Sequence, residues 1–416
     1  MNWPETNDGG PLGDGRFARA TDRPDSLAEL GEVVRRRVAE GHAIYPQGGA
    51  TALEYGGIPR TPGVAVDLRG LGRIVDYPAA DMTITVEAGM TLAAVRAELR
   101  AQGQALSVDA PRADRATLGG IFATNAVGPR SFGLGRPRDQ VIGVRFVDAE
   151  GTTIKGGGRV VKNVAGYDLP KLLTGSMGTL GVLAELTLKV RPLPEASALA
   201  WARFRRLVDA AGALDRLNTS ATRPVALELL NPPTAGAVGQ GALPVEAWVL
   251  VVGFEGNAES VAWQVDRLAL ELGRTDLVIR QGVDAESLWD ALTEQTAAGP
   301  GPVSFRANLR PSAVPAFCRE VESDRWALQA HAGTGVVLGH AVGDPAMETL
   351  GPEVFRLRAH AATLGASLTL PRCPTAWKDR LRVWGDPRPD WAVCERVKRA
   401  LDPRGVLNPG RFVGTI

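Results

Sequence analysis

At 416 residues, and with roughly 100 to 200 residues per domain, the chain is long enough for two or three domains with buried cores. Its 47 Lys and Arg against 46 Asp and Glu leave a formal net charge of +1, which excludes a chain-wide basic field for nucleic acid or an anionic membrane. Hydrophobic residues at 44% and charged residues at 22% are ordinary globular values, while 49 Gly and 29 Pro call for many tight turns without reaching a disordered composition.

Residues 1 to 20 lack periodicity and carry Gly9-Gly10-Pro11, which predicts a flexible tail. Structure is expected after Pro24. Ser26 with Glu29 forms a capping box, Leu27, Leu30, Val34 and Val38 repeat at helical spacing, and Gly41 ends the helix. A strand at 43–46 runs into Gln47-Gly48-Gly49-Ala50-Thr51, a second strand follows at 64–68, and Thr83 to Val86 alternates as a third. Gly89 turns the chain into a helix striped by Leu92, Val95 and Leu99.

Residues 107 to 140 hold Gly119-Gly120, Gly128, Gly133 and Gly135 among few long apolar side chains and read as a long structured loop. Residues 141–147 and 152–155 predict a hairpin around Asp148-Ala149-Glu150-Gly151. Residues 182–190 alternate, with Val182, Ala184, Leu186, Leu188 and Val190 on one face. Beyond Pro194 the rhythm changes to apolar strands at 225–230, 248–254 and 303–309 separated by amphipathic helices such as 260–272, a second α+β domain. The last 25 residues read as a helix through Val393, Val397 and Leu401 and a terminal turn at Asn408-Pro409-Gly410.

Consecutive backbone N–H groups at a Gly-rich turn hold an anion without a cationic side chain. Gly48-Gly49 suits that role, and two further loops, Thr117-Leu118-Gly119-Gly120 and Gly175 to Gly181, are of the same kind. Three such loops favour an extended ligand with a pyrophosphate. Competing motifs fail: there is no G-x-x-x-x-G-K-[ST], no G-x-S-x-G, and Gly333-Thr334-Gly335 with Gly339 misses the dinucleotide fingerprint by one residue.

The collinear series Tyr45-Pro46-Gln47-Gly48-Gly49-Ala50-Thr51, Val66-Asp67-Leu68, Thr85-Val86-Glu87-Ala88-Gly89, Ala116 to Gly120, Gly166-Tyr167-Asp168-Leu169 and Gly178 to Val182, with the terminal Leu407-Asn408-Pro409-Gly410, resembles the vanillyl-alcohol-oxidase type (PCMH-type) FAD-binding family. Within it the chain is most similar to the smaller FAD-binding subunits of bacterial glycolate oxidases. The resemblance implies an α+β fold: a two-subdomain FAD-binding domain at 21–193, an α+β cap at 194–375, and a segment at 376–416 that packs back on the FAD domain. It implies that Pro46, Gln47, Gly48, Gly49, Ala50 and Thr51 wrap the pyrophosphate. Pro111, Thr117, Gly119 and Gly120 would contact the diphosphate and ribityl chain, and Thr124, Asn125 and Gly128 the flavin ring. Gly178, Gly181 and Val182 would line the adenosine end, with Tyr167 and the returning Asn408 beside the cofactor. Relatives with covalent flavin carry a His after the first Gly pair; Ala50 stands there, so the FAD is expected to be non-covalent.

Metal-dependent relatives hold a divalent ion with two His seven residues apart and a later Glu-His pair. Here His331 is followed by Leu338 at the second position, and the later motif reads Leu370-Pro371-Arg372-Cys373, so no metal is expected. Arg306, Arg310 and Arg372 are the candidates for clamping a substrate carboxylate, Arg306 and Arg310 sharing one face of a strand. No catalytic residue is assigned. Cys318, Cys373 and Cys394 are too far apart for an iron–sulfur centre or a disulfide framework. The electron outlet would therefore be an iron–sulfur partner, beside a paralogous flavin subunit, in a complex that oxidises a small 2-hydroxy acid. A self-sufficient oxidase and a non-catalytic flavin scaffold are the alternatives. The apolar run 248–254 is too short to span a bilayer and no signal peptide is seen, so the cytoplasm is expected, with any inner-membrane attachment made through partners.

Overall fold

Ser26 accepts a hydrogen bond from the Glu29 amide at 3.3 Å while Glu29 accepts from the Asp25 amide at 2.8 Å, so the capping box forms and starts the helix Leu27–Ala39. Leu30, Val33, Val34 and Val38 turn its apolar face inward. The structure is a computed structural model that describes residues 3, 9–159, 166–239, 243–297, 299, 301–321 and 324–416. The chain divides into two units, one of Met1–Ala126, Arg136–Pro192 and Asp386–Ile416, the other of Val127–Gly135 and Leu193–Gly385.

The first unit contains two principal sheets. Three parallel strands run in the order Thr21–Asp22, Gly63–Asp67, Ala43–Gln47. Five antiparallel strands follow the order Thr153–Gly157, Val141–Val147, Val182–Lys189, Thr83–Glu87, Ile74–Asp76. The hairpin between the first two turns at Asp148, whose carboxylate accepts the amides of Glu150 and Thr152. The strand at 182–189 does not alternate throughout, because its register slips between Leu183 and Glu185. Val182 and Ala184 pack with the parallel sheet, whereas Leu183, Leu186 and Leu188 pack with helices Leu92–Ala101 and Leu118–Thr124. A bulge thus moves one strand from one core to the other, which period-two reading cannot anticipate.

Two further expectations are corrected. Residues 107–140 are not a loop throughout: Thr117 caps the helix Leu118–Thr124, whose Leu118, Ile121 and Phe122 are buried. The expected flexible tail is also structured where it is described. Pro11–Gly13 pairs with Arg16–Phe17, Leu12 and Ala18 are buried, and Asp14 receives Arg411 Nη1 at 2.8 Å in a buried ion pair. Arg411 Nη2 also donates to the Leu12 carbonyl, so the C-terminal segment fastens the hairpin. Residues 1, 2 and 4–8 lie outside the described set.

The second unit is built on eight antiparallel strands in the order Val278–Gln281, Ala196–Phe204, Trp248–Gly256, Ala226–Leu230, Trp326–His331, Val336–Ala341, Ser304–Asn308, Ser367–Arg372. One face is apolar from end to end, with Ala200, Leu250, Leu227, Leu328, Val337, Phe305 and Leu368 under the helices Leu207–Asn218, Ala258–Leu272 and Met347–Thr363. Residues 127–135 also belong here, because Arg130 pairs with Glu255 at 2.6 Å and stacks 3.9 Å above Trp289, while Gly133 donates to the Val225 carbonyl. This unit extends past 375 to Gly385, since Leu381 and Val383 enter its core and the Leu370 amide donates to the Val383 carbonyl.

His340 is buried against Ser304, its Nδ1 2.7 Å from the hydroxyl. Burial pushes its pKa down to about 4 despite a hydrogen bond to the Gln295 backbone carbonyl, and the Arg372 charge adds to the depression. Between pH 6.5 and 4 the unfolded chain therefore takes up a proton that the folded chain refuses. Stability should fall by about 1.4 kcal/mol per pH unit over that window and be unaffected above it. Thermal melts at pH 7 and pH 5 should show a larger drop for the parent protein than for His340→Gln; equal drops would contradict the assignment.

Candidate functional site

The strand Ala43–Gln47 ends where Pro46 and Gln47 leave the parallel sheet, and the next residues form an open turn. Arg112 Nη1 donates to the Thr51 carbonyl at 3.0 Å and Arg115 Nη2 to the Gly49 carbonyl at 3.3 Å. The carbonyls of Gly49 and Thr51 are thus held, and none of the amides of Gly48, Gly49, Ala50 and Thr51 donates to an acceptor among the described residues. Consecutive N–H groups without an acceptor among the described residues are the donors that an anion at such a turn requires. The two glycines are required by close approach: a Cβ on Gly48 would run into Thr117 Oγ1, and one on Gly49 into the Arg115 carbonyl. Sequence reasoning passed over Arg112 and Arg115, whose signal was two cations spaced before a Thr-x-Gly-Gly turn.

A second wall comes from Leu118–Thr124 and the turn after it. Thr117 caps the helix through the Gly120 amide at 3.4 Å, Gly119 donates to the Ala88 carbonyl at 2.7 Å, and Thr124 returns its hydroxyl to the Gly120 carbonyl. Asn125 ends the helix at φ 49°, and its buried Oδ1 and the buried Ser176 hydroxyl have no partner among the described residues. Gly175 and Met177 donate to the carbonyls of Phe122 and Ala123, which fixes the third glycine loop against this helix end. Gly178, at φ 71°, leaves Pro46 and Asn408 3.5 and 3.7 Å from where a Cβ would stand.

The returning tail is locked to that loop. Lys398, buried in the helix Trp391–Leu401, donates to Asp402 Oδ2 at 2.6 Å and to the carbonyls of Thr179 and Leu407, each at 2.8 Å. Asp402 in turn accepts the amides of Val406 and Leu407. Burial lowers the Lys398 pKa, and the hydrogen bond and charge of Asp402 oppose the shift. Asn408, at φ 45°, receives its place from its amide bond to Ile44 and its side-chain bond to the Met177 carbonyl at 2.5 Å. Ala50, Arg112, Asn125, Met177 and Asn408 are all non-glycine residues with positive φ, so backbone strain gathers around one cradle.

Several expected cofactor residues have other contacts. A Cβ on Gly181 would meet the Phe146 ring, and Val182 is buried in a core cluster. Gln47 donates to the Pro11 carbonyl, and Pro111 is half-buried beside Arg112 in sequence. Tyr167 is 90% exposed, and Gly128 lies in the second unit, where its carbonyl accepts from Ser131.

In the second unit the sheet face opposite the apolar one carries polar residues. Glu228, fully buried, lies opposite His331, and its carboxylate is 2.8 and 2.9 Å from His331 Nδ1. Gln329 Nε2 donates to the same carboxylate and to the Leu292 carbonyl. The His331 Nε2 atom is left buried and unpartnered. Leu338, Arg306 and Thr369 share one row across three strands, and His340, Ser304 and Arg372 the next. Arg372 donates to the Gly299 carbonyl and Arg306 to Asn308. The strand stops at Asn308, however, and Arg310 precedes the turn Pro311–Ala313, so Arg306 and Arg310 do not share a strand face as expected. Glu228 and Gln329 were missed, although a single acid within Ala-Leu-Glu-Leu-Leu is a sequence signal for a satisfied buried carboxylate.

Comparison with known proteins matches residues 18–157 to an FAD binding domain family, and residues 193–345 and 386–412 to the C-terminal domain of FAD linked oxidases. A D-2-hydroxyglutarate dehydrogenase of Xanthomonas citri pv. viticola is 29% identical, covering 94% of this chain and 88% of the relative. The glycolate oxidase subunit GlcD of Bacillus subtilis is 28% identical over 89% of this chain and 83% of its own length. The glycolate oxidase subunit GlcE of Escherichia coli is 41% identical over 42% of this chain and 49% of its own length. In fold, a solved alkyldihydroxyacetonephosphate synthase superposes with a TM-score of 0.66 at 18% identity, covering 94% of this chain and 75% of that one.

Removing Lys398 would strand the buried Asp402 carboxylate. Lys398→Met should cost about 3 kcal/mol, whereas pairing it with Asp402→Leu should recover most of the loss. Denaturant unfolding of the three proteins measures this; an unaffected single variant would show that the pair holds nothing.

Proposed function

We propose that this chain, which belongs to the vanillyl-alcohol-oxidase type of FAD-linked oxidases, oxidises a small 2-hydroxy acid to the 2-oxo acid as one subunit of a glycolate-oxidase-like complex. The observation that carries the cofactor half of the reading is the run of four amides at Gly48 to Thr51 without an acceptor among the described residues, in a turn whose Gly49 and Thr51 carbonyls are held by Arg115 and Arg112. Those amides would take the pyrophosphate of FAD, and the unpartnered Asn125 Oδ1 and Ser176 hydroxyl supply polar atoms suited to a bound cofactor. Bound FAD supplies the two-electron acceptor for the carbinol hydrogen. Ala50 offers no nucleophile for a bond to it, so the cofactor is held without a covalent link.

The substrate half rests on the polar sheet face of the second unit. Arg306 and Arg372 would orient a carboxylate. Leu338, with Pro371 and Arg372, occupies positions where metal-dependent relatives carry ligands, so charge neutralisation falls to guanidinium groups. Similarity to GlcD and GlcE supports a place in a multi-subunit oxidase, and on this reading onward electron transfer falls to a partner with iron–sulfur centres. One observation favours turnover by the chain alone: His331, backed by Glu228, keeps Nε2 free to accept a hydroxyl proton.

The purified protein should carry a flavin spectrum, and acid precipitation should release all of the flavin into the supernatant. Gly49→Val should abolish flavin retention, because the side chain would drive the turn off the Arg115 carbonyl; a fully yellow variant would refute the cradle. Anaerobic mixing with glycolate, D-lactate and D-2-hydroxyglutarate separates the two modes of action. Slow or absent bleaching that becomes fast with partner subunits supports the dependent subunit. Rapid bleaching by the chain alone, lost in His331→Gln, supports independent turnover.

A further inference from the structure

In the second unit, away from the polar sheet face, a cavity of about 510 Å³ opens where the strand Ala196–Phe204 runs into the helix Leu207–Asn218 and meets the end of Ala258–Leu272. Its floor is apolar, formed by the buried Phe204 and Leu272, and Arg203, Arg205, Arg216 and Arg274 line it. Arg274 organises the site: its guanidinium lies 4.8 Å over the Phe204 ring, donates to the Arg203 carbonyl and forms a two-point pair with Asp276. The one carboxylate in the lining, Asp209, is held in a two-point pair by Arg206. Arg203 feels Asp276 only at longer range. Among the described residues, the side chains of Arg205 and Arg216 have no ion-pair partner.

Like charges held around one concavity repel, and an anion that enters relieves the repulsion while each guanidinium fork gains hydrogen bonds. A bare inorganic anion is far smaller than the space, whose volume lies within the usual range for organic ligands of about 300 to 1,000 Å³. The apolar floor has no use for such an ion either. We infer that this cavity binds a phosphate monoester, its phosphoryl oxygens taken by Arg203, Arg205 and Arg216 and its organic body laid on Phe204 and Leu272. The ester has two chemically equivalent sources, a soluble metabolite or the headgroup of an acidic lipid. The exposed Val208 in the same lining suits either the body of the ester or the first carbons of a lipid.

The test uses the full chain loaded with FAD, so that the pyrophosphate cradle is filled. Glycerol 3-phosphate is titrated by calorimetry, and vesicles of phosphatidic acid in phosphatidylcholine are assayed by co-sedimentation against phosphatidylcholine alone. Binding of the free ester assigns a soluble ligand; binding of the acidic vesicles without the free ester assigns a lipid. In either case Arg205→Gln with Arg216→Gln should weaken binding by at least about tenfold, added salt should weaken it further, and Arg319→Gln on the same unit should leave it unchanged. Asp209→Asn, which releases Arg206, should tighten it. All these substitutions are at exposed side chains, and the flavin spectrum reports an intact cofactor site independently. Failure of both probes to bind, or binding indifferent to the double arginine variant, overturns the inference.

Discussion

The ion pair between Lys398 and Asp402 is the contact on which the first unit's cradle depends. Two charges removed from water gain little net energy from each other unless every remaining donor and acceptor is used. Here they are used: the ammonium reaches the carbonyls of Thr179 and Leu407, and the carboxylate takes the amides of Val406 and Leu407. The pair therefore acts as a splice between a glycine loop and a chain segment more than two hundred residues later in sequence. Asn408 inherits its position from that splice, and with it the bond to the Met177 carbonyl that shapes the Gly178 turn. An apolar pair of equal volume could fill the space, but it could not specify which carbonyls approach.

Much of the first unit was legible because its signals are local. The Ser26–Glu29 box, the Asp148–Gly151 hairpin and the order of glycine turns each depend on residues a few positions apart, and all are formed. What could not be read depends on partners far away in sequence. The order of residues 11–18 rests on Arg411, nearly four hundred residues on. The bulge at Ala184 rests on two neighbouring strands that impose different registers. Arg310 was placed on a strand because period-two reading ran through Leu309, whereas the pairing with Val336 to His340 ends at Asn308. The glycines illustrate the same limit. Gly48, Gly49 and Gly181 look alike in a sequence, yet the first two seat a turn with free amides and the third makes room for Phe146.

The second unit shows how one sheet can carry two kinds of information. Its apolar face needs only volume and pattern, and the alternation of the strands predicts it. The opposite face buries Glu228, Gln329 and His331 in a connected network, at a cost that an all-apolar face would avoid. Satisfying both carboxylate oxygens of Glu228 from Gln329 and His331, two residues of one neighbouring strand, fixes the register of Ala226–Leu230 against Trp326–His331, where three residue pairs meet. That network also fixes which His331 nitrogen is engaged, because the Glu228 carboxylate lies against Nδ1 and not Nε2.

These two features bear on how the family's chemistry can be divided among chains. Strained positive-φ residues and free amides are costly to maintain unless a ligand uses them, and they are concentrated at the cofactor cradle. Leu338, Pro371 and Arg372, which stand where the resemblance places metal ligands, need no ion to be stable. A guanidinium at Arg372 can neutralise a carboxylate but cannot acidify an alcohol as a divalent ion does. In the proposed reaction the base would then be an imidazole such as His331 or a group of a different subunit, and His331 is the one paired with a buried carboxylate.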